Sequence, residues 1–150
     1  MKNLEQKMLP LLKKGHCTPK IAELAKKLGE ASTTIHYNIK KLEKDGKIKA
    51  YKAVFDHSKI DEGFCAIALL NLDSNVYGDP ETIVKKIAQY PEVESIDICT
   101  GDWELVVKLR AKNQEDYMES VKRILAQKGI IKIKSLISLR QIKNEFVVMK

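Results

Sequence analysis

Two short amphipathic helices joined by a tight turn are predicted near the start of this 150-residue chain, and they limit its possible folds more than any other feature. The first helix is expected over residues 18–28, because Thr18 provides a capping hydroxyl and Pro19 suits a first helical position. Its apolar stripe has helical i, i+3, i+4, i+7 spacing and consists of Ile21, Leu24, Ala25 and Leu28. Gly29 is expected to end the helix.

The second helix is expected over residues 32–45, with Ser32 or Thr33 as its cap and Gly46 after its end. Its predicted inward stripe is Ile35, Ile39 and Leu42. Two such helices separated by only a few residues are the sequence form of a helix-turn-helix.

The segments on either side of this helix pair are less regular. A helix is predicted at residues 3–14, although it contains a proline that removes one backbone donor. Apolar residues within 48–55 predict an extended strand, either part of a winged hairpin or an arm leading to the next domain. We expect the first domain to cover residues 1–56, a linker to cover 57–63 and a second domain to cover 64–150.

The net positive charge is confined to the first part of the chain. Residues 1–60 contain 14 Lys and 6 Asp or Glu, a net charge of +8. Residues 61–150 contain 13 Lys or Arg and 14 Asp or Glu, a net charge of −1. This separation indicates a polyanion as the partner of the N-terminal domain. The sequence shows no signal peptide and no run of the roughly 20 apolar residues that a membrane span needs. A cytoplasmic location without a membrane partner is therefore expected.

The outward face of the second helix is the predicted contact with double-stranded DNA. Its hydroxyl and amide groups suit base edges or phosphates, and its lysines suit phosphates. A solvated lysine-rich face is the alternative, which the complete motif and the separated charge disfavour. The predicted DNA-binding residues are Ser32, Thr33, Thr34, His36, Tyr37, Asn38, Lys40, Lys41 and Lys44.

The second part of the chain predicts an alternation of strands and helices. The expected elements are strand 64–72, helix 80–90, strands 93–99 and 103–111, helix 114–129 and strand 130–143. This β-α-β-β-α-β order is the ferredoxin-like plan, and the whole chain is therefore expected to be an α+β protein.

Catalytic and metal chemistry is not expected. The three cysteines (Cys17, Cys65 and Cys99) lack C-x-x-C spacing, and the three histidines (His16, His36 and His57) lack metal-ligand spacing. Residues 61–150 contain no histidine, the commonest general base. We therefore predict no enzyme activity, no catalytic residue, no metal and no cofactor.

The turn at residues 100–104 contains a carboxylate and the only tryptophan of the chain. Backbone amides, a carboxylate and an indole could line a small-ligand pocket. Considered by its residues alone, the segment is more typical of an ordinary β-turn with a packed tryptophan.

The segments IAELAKKLGEASTTIHYNIKKLEKDGKIKAYKAVFD and YPEVESIDICTGDWELVVKLRAKN resemble the Lrp/AsnC family, also called feast/famine regulators. The resemblance implies a winged-type helix-turn-helix and a β-α-β-β-α-β domain through which homodimers and larger assemblies form. It also implies transcription regulation modulated by an amino acid at the Gly-Asp turn. The effector-site residues it implies are Thr100, Gly101, Asp102, Trp103, Glu104 and Ser135.

The sequence departs from the family pattern at several positions. Ala31 occupies the cap position that is often Ser, Asn38 replaces a common Arg, and Trp103 replaces a common Tyr or Phe. Two alternative functions stay open at this stage. One is an architectural DNA-binding protein without a ligand, and the other is an enzyme resembling the tetrapyrrole decarboxylases that share the two-domain plan. The absence of histidine from residues 61–150 disfavours the enzymatic alternative.

Overall fold

The computed structural model describes residues 3–145 and 147–148. The chain divides into two compact units, one ending at Val54 and the other beginning at Phe55. The first unit is helical, and the second combines an antiparallel sheet with helices, so the α+β fold class is confirmed. Within the described residues, no helix has the length and apolarity needed to cross a lipid bilayer.

The first unit contains three helices, α1 (Leu4–Lys13), α2 (Ile21–Leu28) and α3 (Ser32–Lys44), and the predicted helix-turn-helix is confirmed. The α1 helix forms even though Pro10 lies inside it. Asn3 stabilises its start, since the side-chain oxygen of Asn3 accepts a 2.9 Å hydrogen bond from the Gln6 amide. Pro10 is exposed, so the missing backbone bond lies at the surface.

The predicted start of α2 and the predicted cap of α3 were wrong, whereas α3 begins at Ser32 as predicted. The α2 helix begins at Ile21 instead of Thr18, with Lys20 at the N-cap position and no side-chain cap. Thr18 and Pro19 both precede the helix, because Lys20 (φ −78°, ψ 78°) forms a tight turn in which the Ile21 amide donates a 3.0 Å hydrogen bond to the Pro19 carbonyl. The α3 helix is preceded by Ala31 as its N-cap, so Ser32 is already a helical residue and caps nothing.

The small core of the first unit lies between α2 and α3. It consists of Ala25, Ile35 and Ile39, with Ile21 and Tyr51 packed against it. Leu42, which was predicted to be part of this core, is instead 36% exposed. Leu24 and Leu28 are exposed as well, so the inward stripe of each helix is narrower than predicted.

The predicted strand at 48–55 was also wrong. After α3, Gly46 adopts a φ of 69°, and the Lys47 amide donates a 2.9 Å hydrogen bond to the Leu42 carbonyl. This left-handed ending is a Schellman-type cap that turns the chain away from the helix. The following residues have no strand partner in the described part of the chain, so neither a strand nor a winged hairpin forms there.

The second unit has the predicted β-α-β-β-α-β order. Its elements are β1 (Phe64–Leu72), α4 (Glu81–Ile87), β2 (Val93–Ile98), β3 (Leu105–Ala111), α5 (Gln114–Leu125) and β4 (Ile130–Ile137). The strands form an antiparallel sheet in the order β2-β3-β1-β4, so the ferredoxin-like topology is confirmed. A short 3-10 turn at His57–Lys59 precedes β1.

The core of the second unit lies on one face of this sheet. Alternate residues of β1 and β3 are buried against the two helices, which contribute Ile83, Ile87, Tyr117, Val121 and Ile124. The buried strand residues include Ala66, Ala68, Leu70, Leu105, Val107 and Leu109. Side chains alternate between faces along a strand, so Ile67, Leu69 and Val106 lie on the opposite face. The described side chains of α4 and α5 that enter the core pack on the first face, and no described helix of the unit covers the opposite one.

The last predicted strand was too long. The β4 strand ends at Ile137, which pairs with Ala66, instead of at residue 143; since β1 begins at Phe64, pairing with β1 could extend to residue 139 at most. The chain then forms a small antiparallel pair, β5 (Lys143–Asn144) with β6 (Val147–Val148). The helices α4 and α5 are likewise shorter than predicted, ending at Ile87 and Leu125.

Candidate nucleic-acid interface and effector turn

All nine predicted DNA-binding residues are exposed on α3. Ile35 and Ile39 point into the core, which leaves the opposite side of the helix to solvent. Tyr37 is 70% exposed, so its ring and hydroxyl group are open to a binding partner. The structure thus brings these residues together on a single helix.

The centre of this face is a stripe of four residues. Thr33, Tyr37, Lys40 and Lys44 follow one another at intervals of four, three and four residues. At 3.6 residues per turn, such positions lie one above another along a helix. The stripe therefore presents a hydroxyl, a phenol and two ammonium groups in a single row.

Lys40 is held in place by two residues that the sequence analysis did not include. Its ammonium group forms a 2.8 Å ion pair with Glu43 Oε2. The other carboxylate oxygen, Glu43 Oε1, accepts a 2.8 Å hydrogen bond from the Tyr51 hydroxyl. The hydrogen bond from Lys40 is the largest cause of a lowered pKa for the Glu43 carboxyl group, and the hydrogen bond from Tyr51 is the next largest. Glu43 could have been found from its i+3 spacing to Lys40, but no sequence signal indicated Tyr51.

The other polar residues of α3 differ in how firmly they are held. The Asn38 amide donates a 2.9 Å hydrogen bond to the Thr34 carbonyl on the preceding turn. Lys41 and Lys44 form no ion pair with any described residue. Their long, solvated side chains suit contacts with phosphates, which require charge more than a fixed position.

The second candidate site is the turn between β2 and β3. The Cys99 amide donates a 2.7 Å hydrogen bond to the Glu104 carbonyl and closes the turn. Gly101 has a φ of 104°, which favours glycine at this position. Thr100, Gly101 and Asp102 are exposed, so their polar groups are open to a ligand.

Glu104 is used to hold this turn against the end of β1. Its Oε2 accepts a 2.9 Å hydrogen bond from the Leu72 amide and one of 3.3 Å from Asn71 Nδ2. The Asn71 side chain also donates to the Asp102 carbonyl. The Leu72 bond is the main cause of a lowered pKa for the Glu104 carboxyl. Asn71, which the sequence analysis missed, thus connects β1 with the turn.

Trp103 and Ser135 lie in different surroundings. Trp103 is half-buried, and Lys132 Nζ lies 5.6 Å from the centre of its ring, within cation–π range. Ser135 is on β4 opposite Ala68, and its hydroxyl hydrogen-bonds with the buried Tyr117. Ser135 is exposed, and the side-chain hydrogen bond described for it is made with Tyr117 of α5 and not at the turn.

Comparison with known protein families gives two matches that divide the chain in the same order. The model of the Lrp/AsnC ligand binding domain matches residues 65–148, more than half of the chain. The chain belongs to the Lrp/AsnC family. A winged helix-turn-helix DNA-binding model matches residues 11–49, which include α2 and α3. This Lrp/AsnC protein is accordingly a DNA-binding transcription regulator.

Individual relatives agree with this assignment. An uncharacterized HTH-type transcriptional regulator of Pyrococcus furiosus is 32% identical, and the match covers 94% of each chain. A crystal structure of an AsnC family transcriptional regulator from Agrobacterium tumefaciens has 26% identity and a TM-score of 0.75, covering 96% of this chain and 94% of the other. A regulator from Neisseria meningitidis, solved as a complex with L-Met, shares the fold with a TM-score of 0.74 at 20% identity, covering 96% and 93% of the two chains. The names in this group are those of transcription regulators, not of enzymes.

Proposed function

We propose that this Lrp/AsnC regulator binds a specific duplex site as a homodimer and that an amino acid or related metabolite, bound at the turn 100–104, modulates the binding. The observation that supports DNA contact most directly is the exposed polar stripe of α3 on a basic unit. In helix-turn-helix proteins the second helix enters the major groove, and paired copies contact successive grooves. The α3 helix corresponds to that second helix.

The proposed roles of the α3 residues follow from their chemistry. Hydroxyl, phenol and amide groups near the start of the helix, from Ser32 to Asn38, suit base edges and nearby phosphates. Lys41 and Lys44 suit phosphates, where they would release condensed counterions. The net charge of +8 in residues 1–60 would draw the unit to DNA of any sequence, and the hydroxyl, phenol and amide groups would select among sequences.

Homodimer formation is proposed from the sheet face that the helices leave uncovered. Ile67, Leu69 and Val106 lie at its centre, and Leu136 of β4 is 44% exposed. An apolar sheet face is normally buried against another layer, because exposing it to water is unfavourable. A second copy of the same face would provide that layer and would place two α3 helices on the DNA.

Effector binding is proposed for the turn because polar groups of Thr100, Gly101 and Asp102 are exposed there beside Trp103. The amides of the turn suit an α-carboxylate, and the Asp102 carboxylate suits an α-ammonium group. Glu104, already bonded to Leu72 and Asn71, would position the turn instead of contacting the ligand. Ser135 would reach such a ligand only from a neighbouring subunit. The L-Met complex of the Neisseria relative supports an amino acid as the chemical class.

The DNA-binding proposal is tested by selecting bound duplexes from a random pool and measuring affinity for the selected site at several salt concentrations. We expect a steep fall in affinity with salt, and a shallower fall after combined substitution of Lys41 and Lys44 by Ala. Lys128→Ala, which removes an exposed lysine from the second unit, is the matched control. Equal salt dependence for all three proteins would contradict the role of α3.

The effector proposal is tested by following Trp103 fluorescence while single amino acids are added, and by repeating the DNA titration with each amino acid that gives a response. We expect at least one amino acid to change both signals, and Asp102→Ala to abolish both changes. If no amino acid affects either signal, the effector proposal is wrong, and a ligand-independent architectural role would be favoured.

A further inference from the structure

We propose that Lys40 is a base-recognising residue, specific for guanine, and that Glu43 and Tyr51 are the positioning residues that hold it. This inference rests on the proposed contact between α3 and the major groove. It differs from the simple expectation that every lysine of α3 neutralises a phosphate. The difference is that Lys40 forms an ion pair with Glu43, whereas Lys41 and Lys44 form no ion pair with a described residue.

The Lys40 ammonium group is fixed by a single carboxylate that is itself fixed. Glu43 accepts from Lys40 Nζ at 2.8 Å through one oxygen and from the Tyr51 hydroxyl at 2.8 Å through the other. The Glu43 side chain is 30% exposed, whereas that of Lys40 is 61% exposed. The carboxylate therefore lies close to the body of the unit, and the ammonium group reaches beyond it into solvent.

Tyr51 is in turn held by the body of the first unit. Its ring packs against the core cluster of Ala25, Ile35 and Ile39. Its carbonyl oxygen lies against Gly15, where an added Cβ would come within 2.5 Å of it. The hydroxyl of Tyr51 is thus placed by core packing, and the position of Glu43 follows from it. These contacts form a continuous chain from the core to Lys40 Nζ.

A fixed ammonium group suits base recognition. A lysine ammonium group has three N–H donors, and the ion pair with Glu43 uses one of them. The remaining donors match the adjacent O6 and N7 acceptors that guanine presents in the major groove, a pattern that lysine recognises in other complexes. A phosphate contact needs no such restraint, because any lysine within reach can supply the charge.

The position of Lys40 on α3 agrees with this role. Lys40 lies in the same outward stripe as Thr33 and Tyr37, one turn beyond Tyr37. The Glu43 carboxylate would ordinarily repel DNA phosphates, but its ion pair with Lys40 offsets its charge. The pair can therefore approach the groove as a neutral unit with free donors, whereas Lys41 and Lys44 approach as full positive charges.

The experiment compares base preference and salt dependence for four single variants of the full-length protein: Lys40→Ala, Glu43→Gln, Tyr51→Phe and Lys44→Ala. Base preference is measured by random-pool selection, and the affinity of each variant is measured for the selected site and for the same site with its guanines replaced. Circular dichroism melting checks that each variant is folded. Lys44→Ala is the matched control, since Lys44 lies one turn further along the same stripe and forms no ion pair with a described residue.

We expect Lys40→Ala to lose preference for guanine at one position of each half-site, by about five- to a hundredfold, with little change in salt dependence. Tyr51→Phe and Glu43→Gln should weaken the same preference while leaving Lys40 present. Lys44→Ala should weaken binding to every sequence and lower the slope of log affinity against log salt by about 0.9 per helix.

The inference is overturned if Lys40→Ala behaves like Lys44→Ala, or if Tyr51→Phe and Glu43→Gln keep the wild-type preference. Either result leaves the proposed DNA-binding role of α3 intact. A wild-type protein that selects no sequence at all would contradict both proposals together. The two kinds of failure can therefore be distinguished within a single set of measurements.

Discussion

The carbonyl oxygen of Tyr51 lies so close to Gly15 that a Cβ on the glycine would approach it to 2.5 Å. Gly15 follows α1 and has a φ of 90°, and Tyr51 lies beyond α3. The segment after α1 and the segment after α3 therefore meet at a place where only glycine fits. The same Tyr51 contributes its ring to the core between α2 and α3.

The first prediction concerns this contact. Gly15→Ala should lower the free energy of unfolding of the first unit by about 2–3 kcal/mol, since strain at positive φ is combined with a steric overlap. Gly46→Ala is the control, because Gly46 also has positive φ but has no atom within 4 Å of an added Cβ. Gly46→Ala should lower the free energy of unfolding by only about 1 kcal/mol. Urea unfolding of both variants measures the difference, and equal losses would contradict the close approach of Tyr51.

A second prediction concerns the most buried ion pair of the second unit. Arg110 is only 8% exposed and is bonded to Glu94 through Nε and to Gln141 Oε1 at 2.6 Å. Burial acts to raise the pKa of Glu94, but the bonds from Arg110 and Lys108 lower it overall. Glu94→Gln should lower the free energy of unfolding by about 3 kcal/mol, because it leaves the buried guanidinium without a counter-charge.

The control for this pair is the exposed pair of Lys122 and Glu119, at 2.6 Å. Glu119→Gln should change the free energy of unfolding by less than about 0.5 kcal/mol, because both side chains remain hydrated. Thermal and urea unfolding at neutral pH measure both variants. A similar small effect for Glu94→Gln would show that Arg110 is better hydrated than its burial indicates.

A third prediction concerns the pH dependence of the turn. The bond from the Leu72 amide lowers the pKa of Glu104, so its contribution to stability is complete above its ordinary pKa of 4.5 and is lost as pH falls through the lowered value. Glu104→Ala should be less stable than wild type by about 1 kcal/mol at pH 7. The difference in stability should shrink towards zero as the pH falls below the lowered pKa of Glu104 in the folded protein. Melting temperatures of wild type and Glu104→Ala, measured from neutral to acid pH, test this prediction. A difference between the two proteins that does not change with pH would contradict it.

A fourth prediction concerns the uncovered sheet face. Ile67→Asp should weaken self-association by at least about thirtyfold, because a symmetric interface would bury two copies of the new charge. Met118→Asp places the same charge on α5, where Met118 is 45% exposed, and should leave the assembly unchanged. Analytical ultracentrifugation compares the two variants with wild type. Dissociation by Met118→Asp instead would place the interface on the helical side of the unit.

The order of the helices and strands could be predicted from the sequence because the spacing of apolar residues shows which side chains are buried. The stripes of α2 and α3 and the alternation in β3 correspond to Ala25, Ile35, Ile39, Leu105 and Val107 in the two cores. The ends of the elements could not be predicted in the same way. The ends depend on which backbone lies alongside. The start of β1 at Phe64 limits how far β4 can pair, and the segment after α3 pairs with no described strand.

The candidate sites were predicted only in part for a related reason. Exposure of the α3 residues follows from the helical repeat, and so their grouping was visible in the sequence. The roles of Tyr51 and Asn71 were not visible in the sequence. Tyr51 acts through Glu43, which lies on α3, and Asn71 acts through Glu104, which lies far along the chain. Contacts of this kind depend on tertiary packing and leave no periodic signal.

The most direct test of the central proposal is the ratio of affinities for two duplexes at one salt concentration. One duplex contains the site selected from a random pool, and the other has the same composition in scrambled order. A sequence-specific regulator should bind the selected site about a thousandfold more tightly or better. Equal affinity for both duplexes would contradict sequence recognition by α3.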